Sequence, residues 1–208
     1  MCWTRWSRQP TSGCGRTDVA YRRGFKSEAN TIAREIREEL GLRMLDPLSP
    51  QRLADHLAVP VIALSELRRT ASGAVEYLLS TASDVFSAVT VFRGRRRVIV
   101  HNDAHSPGRQ ASNITHELAH ALLLHDPTPA LDDRGCRWWN QNIEDEAQWL
   151  AGALLLTEDA ALSIVRRGTP IPAAAQHFGI SVPMVRHRLN VTGANRRVAR
   201  ARPFRVVT

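Results

Sequence analysis

Apolar residues recur along this chain mostly at helical spacing, and strand-like runs are confined to its middle. Ile32, Ile36 and Leu40 form a stripe that predicts a helix over 27–40, with Ser27 as its cap and Gly41 as its stop. Ser49-Pro50 opens a second helix over 51–57, proline being well placed in a first turn. The run 59–64 reads as a strand. Two β-rich runs, 88–92 and 98–101, flank Arg93-Gly94 and predict a hairpin. Ser106-Pro107 starts a helix expected to reach about His125, where Asp126-Pro127 ends it. A loop over 127–140 leads to a long helix over 141–156. Two short helices joined at Gly179-Ile180-Ser181 fill 171–189. Residues 1–20 keep neither period and read as a loose extension.

Composition narrows the class. With 208 residues and 43% hydrophobic content, the chain can fill an ordinary core, which excludes a disordered or collagen-like protein. The longest apolar run, 150–156, is too short to span a bilayer, so no membrane partner is expected. Cys2, Cys14 and Cys136 are an odd set without metal-type spacing. With no secretory signal pattern at the start, this suggests the cytoplasm. The net charge of +8 is uneven: 160–208 holds nine arginines and no acidic residue, while 24–159 is mildly acidic. A basic end can meet nucleic acid, an acidic protein or only solvent.

His116-Glu117-Leu118-Ala119-His120 carries the chemistry. Residues four apart project from one helix face, so both imidazoles can share one Zn²⁺. Glu117 is placed to reach a water at the metal rather than the metal itself, as a general base. A catalytic zinc site needs a third protein ligand. His125 lies roughly 140° around the helix from His120 and cannot join the same ion unless the helix breaks. An acidic ligand from the next helix remains: Glu144, Asp145 or Glu146. Glu144 shares a smooth face with Ala147, Gln148 and Ala151 and is favoured, with Glu146 next. His101, His105, Arg109 and His125 are candidates for the donor that would hold an oxyanion. The strand ending near His101 is expected at the sheet edge, where an extended substrate could pair with it.

These motifs resemble the ImmA/IrrE family of bacterial metallopeptidases over roughly 23–193. The resemblance rests on the Glu-Leu-Gly-Leu helix end at 39–42, the strand closing on Asn102, and Arg109-Gln110. It continues through the His116–His120 motif with Leu122-Leu123, then Glu144-x-Glu146-Ala147-Gln148-x-x-Ala151-x-x-Leu154-Leu155. Gln148, Leu150 and Thr157 stand where the family usually has Asn, Phe and Pro, and Ser112-Asn113 replaces Phe-Thr. The resemblance implies metal ligands His116, His120 and Glu144, the base Glu117, and one zinc ion per chain, with manganese as the other candidate. It implies an endopeptidase that cleaves a helix-turn-helix transcriptional repressor and so induces a mobile-element or stress-response operon.

The expected fold class is α+β: a zincin-like metalloprotease core with a small, mostly antiparallel sheet, then a helix-turn-helix-like pair. The expected division is an N-terminal extension over 1–20, a peptidase domain over 21–165, the helical pair over 166–193 and a basic tail over 194–208. The rival reading is a DNA-binding regulator with a structural or sensory metal site. It would use Arg186 and Arg188 on DNA and the arginines from Arg196 to Arg205 on phosphates. It is less favoured than a pair packed on the peptidase domain. A purely structural zinc module would need a fourth protein ligand, and none is visible.

Overall fold

A computed structural model describes residues 21–94, 96–126 and 140–201. The expected extension over 1–20, almost all of the expected loop over 127–140, and the end of the basic tail lie outside the described residues.

Helix α1 (Phe25–Glu39) begins two residues before the expected start, because Gly24 turns the chain at φ 82°. That lets Phe25 enter the core fully buried, ahead of the Ile36 stripe. Arg37, on the same helix, is also fully buried. Its guanidinium donates to the carbonyls of Arg43, Asp46 and Leu154, so it ties the segment after α1 to the end of a later helix. Helix α2 (Pro50–His56) starts at the proline, with the Ser49 side chain accepting from the Arg52 amide.

Strand β1 (Val61–Ala63) runs into a 3₁₀ turn, Leu64–Leu67, and then helix α3 (Arg68–Leu79). The apolar pattern had assigned no element there. Helix α3 breaks its regular backbone at Ala71 and buries only Val75, so it carries almost no stripe. Asn102 holds the following segment by donating to the carbonyls of Ser83 and Phe86.

Strands β2 (Ala88–Arg93) and β3 (Arg96–His101) form the hairpin, with Arg93 opposite Arg96 across a turn at Gly94, φ 62°. The sheet order is β1-β3-β2. β3 pairs antiparallel with β2 over six positions and parallel with β1 over three. The strand ending at His101 is therefore central, and β1 and β2 are the two edges. The expected assignment of the edge is corrected on this point: β3 returns to pair with the earlier β1, a long-range pairing that local pattern does not reveal.

Helix α4 (Pro107–Leu122) crosses one face of the sheet, burying Ile114 and Leu118 against a cluster that includes Ile99. Helix α5 (Gln141–Leu155) packs beside it, capped by Asn140. Ala147, Ala151 and Ala119 are all buried, and such small side chains allow two helices to approach closely. Helix α6 (Glu158–Arg167) follows at once. Thr157 explains how the chain turns there without the proline usual in the resembling family. Its hydroxyl accepts from the Ala160 amide and donates to the Met44 carbonyl.

Helices α7 (Ile171–Phe178) and α8 (Val182–Val191) meet at Gly179, φ 64°. Helix α9 (Ala194–Ala201) occupies the start of what had been read as a tail, burying Ala194 and Val198. Two apolar clusters result: one from α1, α2, the sheet, α4 and most of α5, the other from the end of α5 through α9. The architecture is mixed α and β. Among the described residues no single helix is long and apolar enough to cross a membrane.

Candidate metal centre

The four-residue spacing on α4 sets His116 and His120 one above the other, their Nε2 atoms 3.0 Å apart. Glu144 enters from the first turn of α5. Its Oε2 lies 3.2 Å from His116 Nε2, and its Oε1 lies 3.8 Å from His120 Nε2. One potential ligand atom from each residue falls within 4.8 Å of the others. Among the described residues, this is the one such group of His, Cys, Asp and Glu.

The donor chemistry fits a metal ion. Ligands about 2.0–2.2 Å from one ion at tetrahedral angles stand about 3.3–3.6 Å apart, and the observed separations bracket that range. Two imidazole nitrogens and a carboxylate are the borderline donors that such a cation takes. Three protein ligands leave a coordination position for something else, unlike a closed structural site.

Glu117 is buried, on the same turn as His116 but outside this trio. Its Oε2 accepts a 2.5 Å hydrogen bond from Thr90 Oγ1, in the middle of edge strand β2. Thr90 is not identifiable as a site residue from the sequence. Its only local signal was a hydroxyl among apolar strand residues, cross-strand from the core residue Ile99.

The other candidates fall elsewhere. Both ring nitrogens of His105 are engaged: Nε2 lies 2.8 Å from the Ser83 carbonyl and Nδ1 lies 3.2 Å from Asn113 Nδ2. Burial lowers its pKa, against the Ser83 carbonyl that favours the charged ring. Arg109 reaches Asp84 and Ser87. Both side chains thus fasten the segment before β2. His101 is buried at the end of β3, its pKa also lowered by burial. Glu146 lies outside the trio and accepts from Arg22 at 3.1 Å. His125 stands behind His120, their Nδ1 atoms 2.9 Å apart.

At the C-terminal pair one expectation is corrected. Arg188 was a candidate for DNA contact, yet it is 1% exposed. It donates to the Leu156 carbonyl and stacks over Trp149, and burial pulls its pKa down to about 10. It pins α8 to α5. Arg186, Arg196 and Arg200 remain exposed, and Arg197 pairs with Glu158. The turn between α7 and α8 also lies against the start of α4. A Cβ added at Gly108 would stand 2.7 Å from backbone atoms of Ile180 and Ser181.

Within this mixed α and β fold, the His-His-Glu cluster is compatible with a metal ion, and the family the chain matches is one of metallopeptidases. The family model described as the IrrE N-terminal-like domain, of peptidase family M78, matches residues 75–190. That is more than half of the chain, and the protein belongs to this family. The match takes in α4, α5 and the α7–α8 pair, and it begins within α3. No curated protein and no solved structure gives a significant match.

Proposed function

We propose that this protein is a zinc-dependent endopeptidase of the cytoplasm, with His116, His120 and Glu144 as metal ligands and Glu117 as general base. The observation that carries the reading is the approach of three ligand atoms from two helices, with a second, hydrogen-bonded carboxylate on the adjacent position. Manganese is the alternative ion. Bound there, a divalent cation would supply Lewis acidity.

The chain's own groups do the rest. Glu117 takes a proton from the attacking water as its oxygen bonds to the peptide carbonyl carbon. The same carboxyl returns the proton to the departing amine as the C–N bond breaks, so the base ends as it began. Thr90 Oγ1 donates to one oxygen of Glu117, and the other oxygen would take the water's proton. Edge strand β2 directs the backbone groups of alternate residues away from β3, where an extended peptide can pair antiparallel or parallel. A flexible linker suits pairing with a strand edge better than a folded segment.

The proposed substrate is a helix-turn-helix transcriptional repressor, whose cleavage would induce a mobile-element or stress-response operon. This element of the reading rests on the family alone. Its test is incubation with a small repressor encoded beside this chain, with and without chelator. Wild type is expected to cut the repressor, and Glu117→Gln to lose at least about a hundredfold in rate while still binding metal. Turnover by Glu117→Gln at the wild-type rate would refute the assignment.

A further inference from the structure

Helix α4 does not run on to His125. It ends at Leu122, and Leu124 then adopts φ 53°, the left-handed region that a leucine enters only at a cost. The side chain of Leu124 is 81% exposed, so packing of that residue does not explain the turn. What the turn achieves is the return of His125 over the helix end. The His125 amide donates to the His120 carbonyl at 3.1 Å, and the two rings meet edge to face with Nδ1 atoms 2.9 Å apart. His125 is thus joined to His120 twice, through backbone and through side chain.

Behind His125 the contacts continue. Its Nε2 lies 3.7 Å from Glu146 Oε2, and the other oxygen of Glu146 lies 3.1 Å from Arg22 Nε. The side chains of His125 and Glu146 are 12% and 13% exposed.

We infer that His125 is a positioning residue that fixes the tautomer and ring orientation of His120, with Glu146 oriented behind it. The inference rests on the reading of His120 Nε2 as a metal ligand. A ligating Nε2 gives its lone pair to the ion, so the ring proton sits on Nδ1. That proton has an acceptor in His125 Nδ1. An accepting Nδ1 puts His125's own proton on Nε2, facing the Glu146 carboxylate. The ring protons of this pair then each have a place, and behind Glu146 the contacts run on through Arg22 to Glu28. His125 cannot be a further ligand in this arrangement, because it meets the far side of the His120 ring.

Competition titration of Zn²⁺ against a chromophoric chelator tests this on the full-length wild type, His125→Phe and His125→Asn. The Phe ring keeps shape without an acceptor, whereas the Asn amide oxygen can occupy the place of Nδ1. His125→Phe is expected to weaken zinc binding about 10–100-fold. It should also shift the visible absorption of the Co²⁺-loaded protein. His125→Asn is expected to stay within about threefold of wild type and to keep its Co²⁺ spectrum, the rescue that a merely space-filling role would not give. Should the Phe variant fail to fold, as seen in melting of the metal-free protein, His125→Leu makes the same comparison. Equal zinc affinity in wild type and the acceptor-free variant, or an Asn variant no better than it, overturns the inference alone. A wild-type chain that takes up no zinc overturns the ligand reading with it.

Discussion

The two apolar clusters share α5 but bury different things. The first closes over His101, Asn102, His105, Asn113, Thr115, His116 and Glu117, a dense set of buried polar side chains. The second, from Leu155 to Val198, buries one charged side chain, Arg188, and turns it inward on Trp149 and the Leu156 carbonyl. Buried polar groups cost stability unless they are partnered, so a region that collects them is where a fold has been shaped by chemistry as well as by packing. The second cluster is a packing body. Its small residues and its glycine-ended helices brace the α4–α5 pair that presents His116, His120 and Glu144.

The sharpest way to break this comparison is to weaken the helix both halves share. Leu150, fully buried in α5, should cost about 2–5 kcal/mol when changed to Ala, measured by urea unfolding. A single transition is expected for wild type and variant. Two separate transitions would mean that the C-terminal helices are an independent unit. Next in size is Gly108→Ala, whose new methyl would press on the Ile180–Ser181 backbone. It should destabilise by about 1–3 kcal/mol. An unchanged melting temperature would show that the α7–α8 turn does not bear on α4.

A smaller effect is expected from acid. Burial depresses His101 and His105, so each binds fewer protons folded than unfolded. Their contribution is intact above the unfolded value near 6.5 and is lost as pH falls below it toward the folded values. His105→Asn should therefore flatten the stability profile of the metal-free protein between about pH 5 and 7. A slope as steep as in wild type would remove His105 as a cause. Smallest of all is Arg197→Ala, which breaks a half-exposed pair with Glu158 and should cost less than about 1 kcal/mol by thermal melting. A larger loss would give surface charge a part in holding α9.

What could be read from the chain was whatever depends on neighbours a turn apart. Ser49-Pro50 and Ser106-Pro107 marked helix starts, Arg93-Gly94 marked the hairpin, and the His116–His120 spacing put two imidazoles on one face. Glu144 was distinguishable from Glu146 by the small residues sharing its face. Other features depended on distant contacts or weak local signals. Thr90 meets Glu117 only because the hairpin packs under α4. The turn at Leu124 has no glycine to announce it, so the helix seemed to continue to His125. Arg188 sits among exposed arginines in the sequence, and only the packing of α8 on α5 turns it inward. Ala194 and Val198, four apart, were the sole sign of α9 inside an arginine-rich run.

The proposed function requires two imidazoles and one carboxylate to close on a single cation. Anomalous diffraction from a zinc-soaked crystal tests that most directly. The expected result is one strong peak, about 2.0–2.2 Å from His116 Nε2, His120 Nε2 and a Glu144 oxygen, with Glu117 beyond bonding distance. A peak on Glu146 or His125, or an ion closed in by four protein ligands, would contradict it.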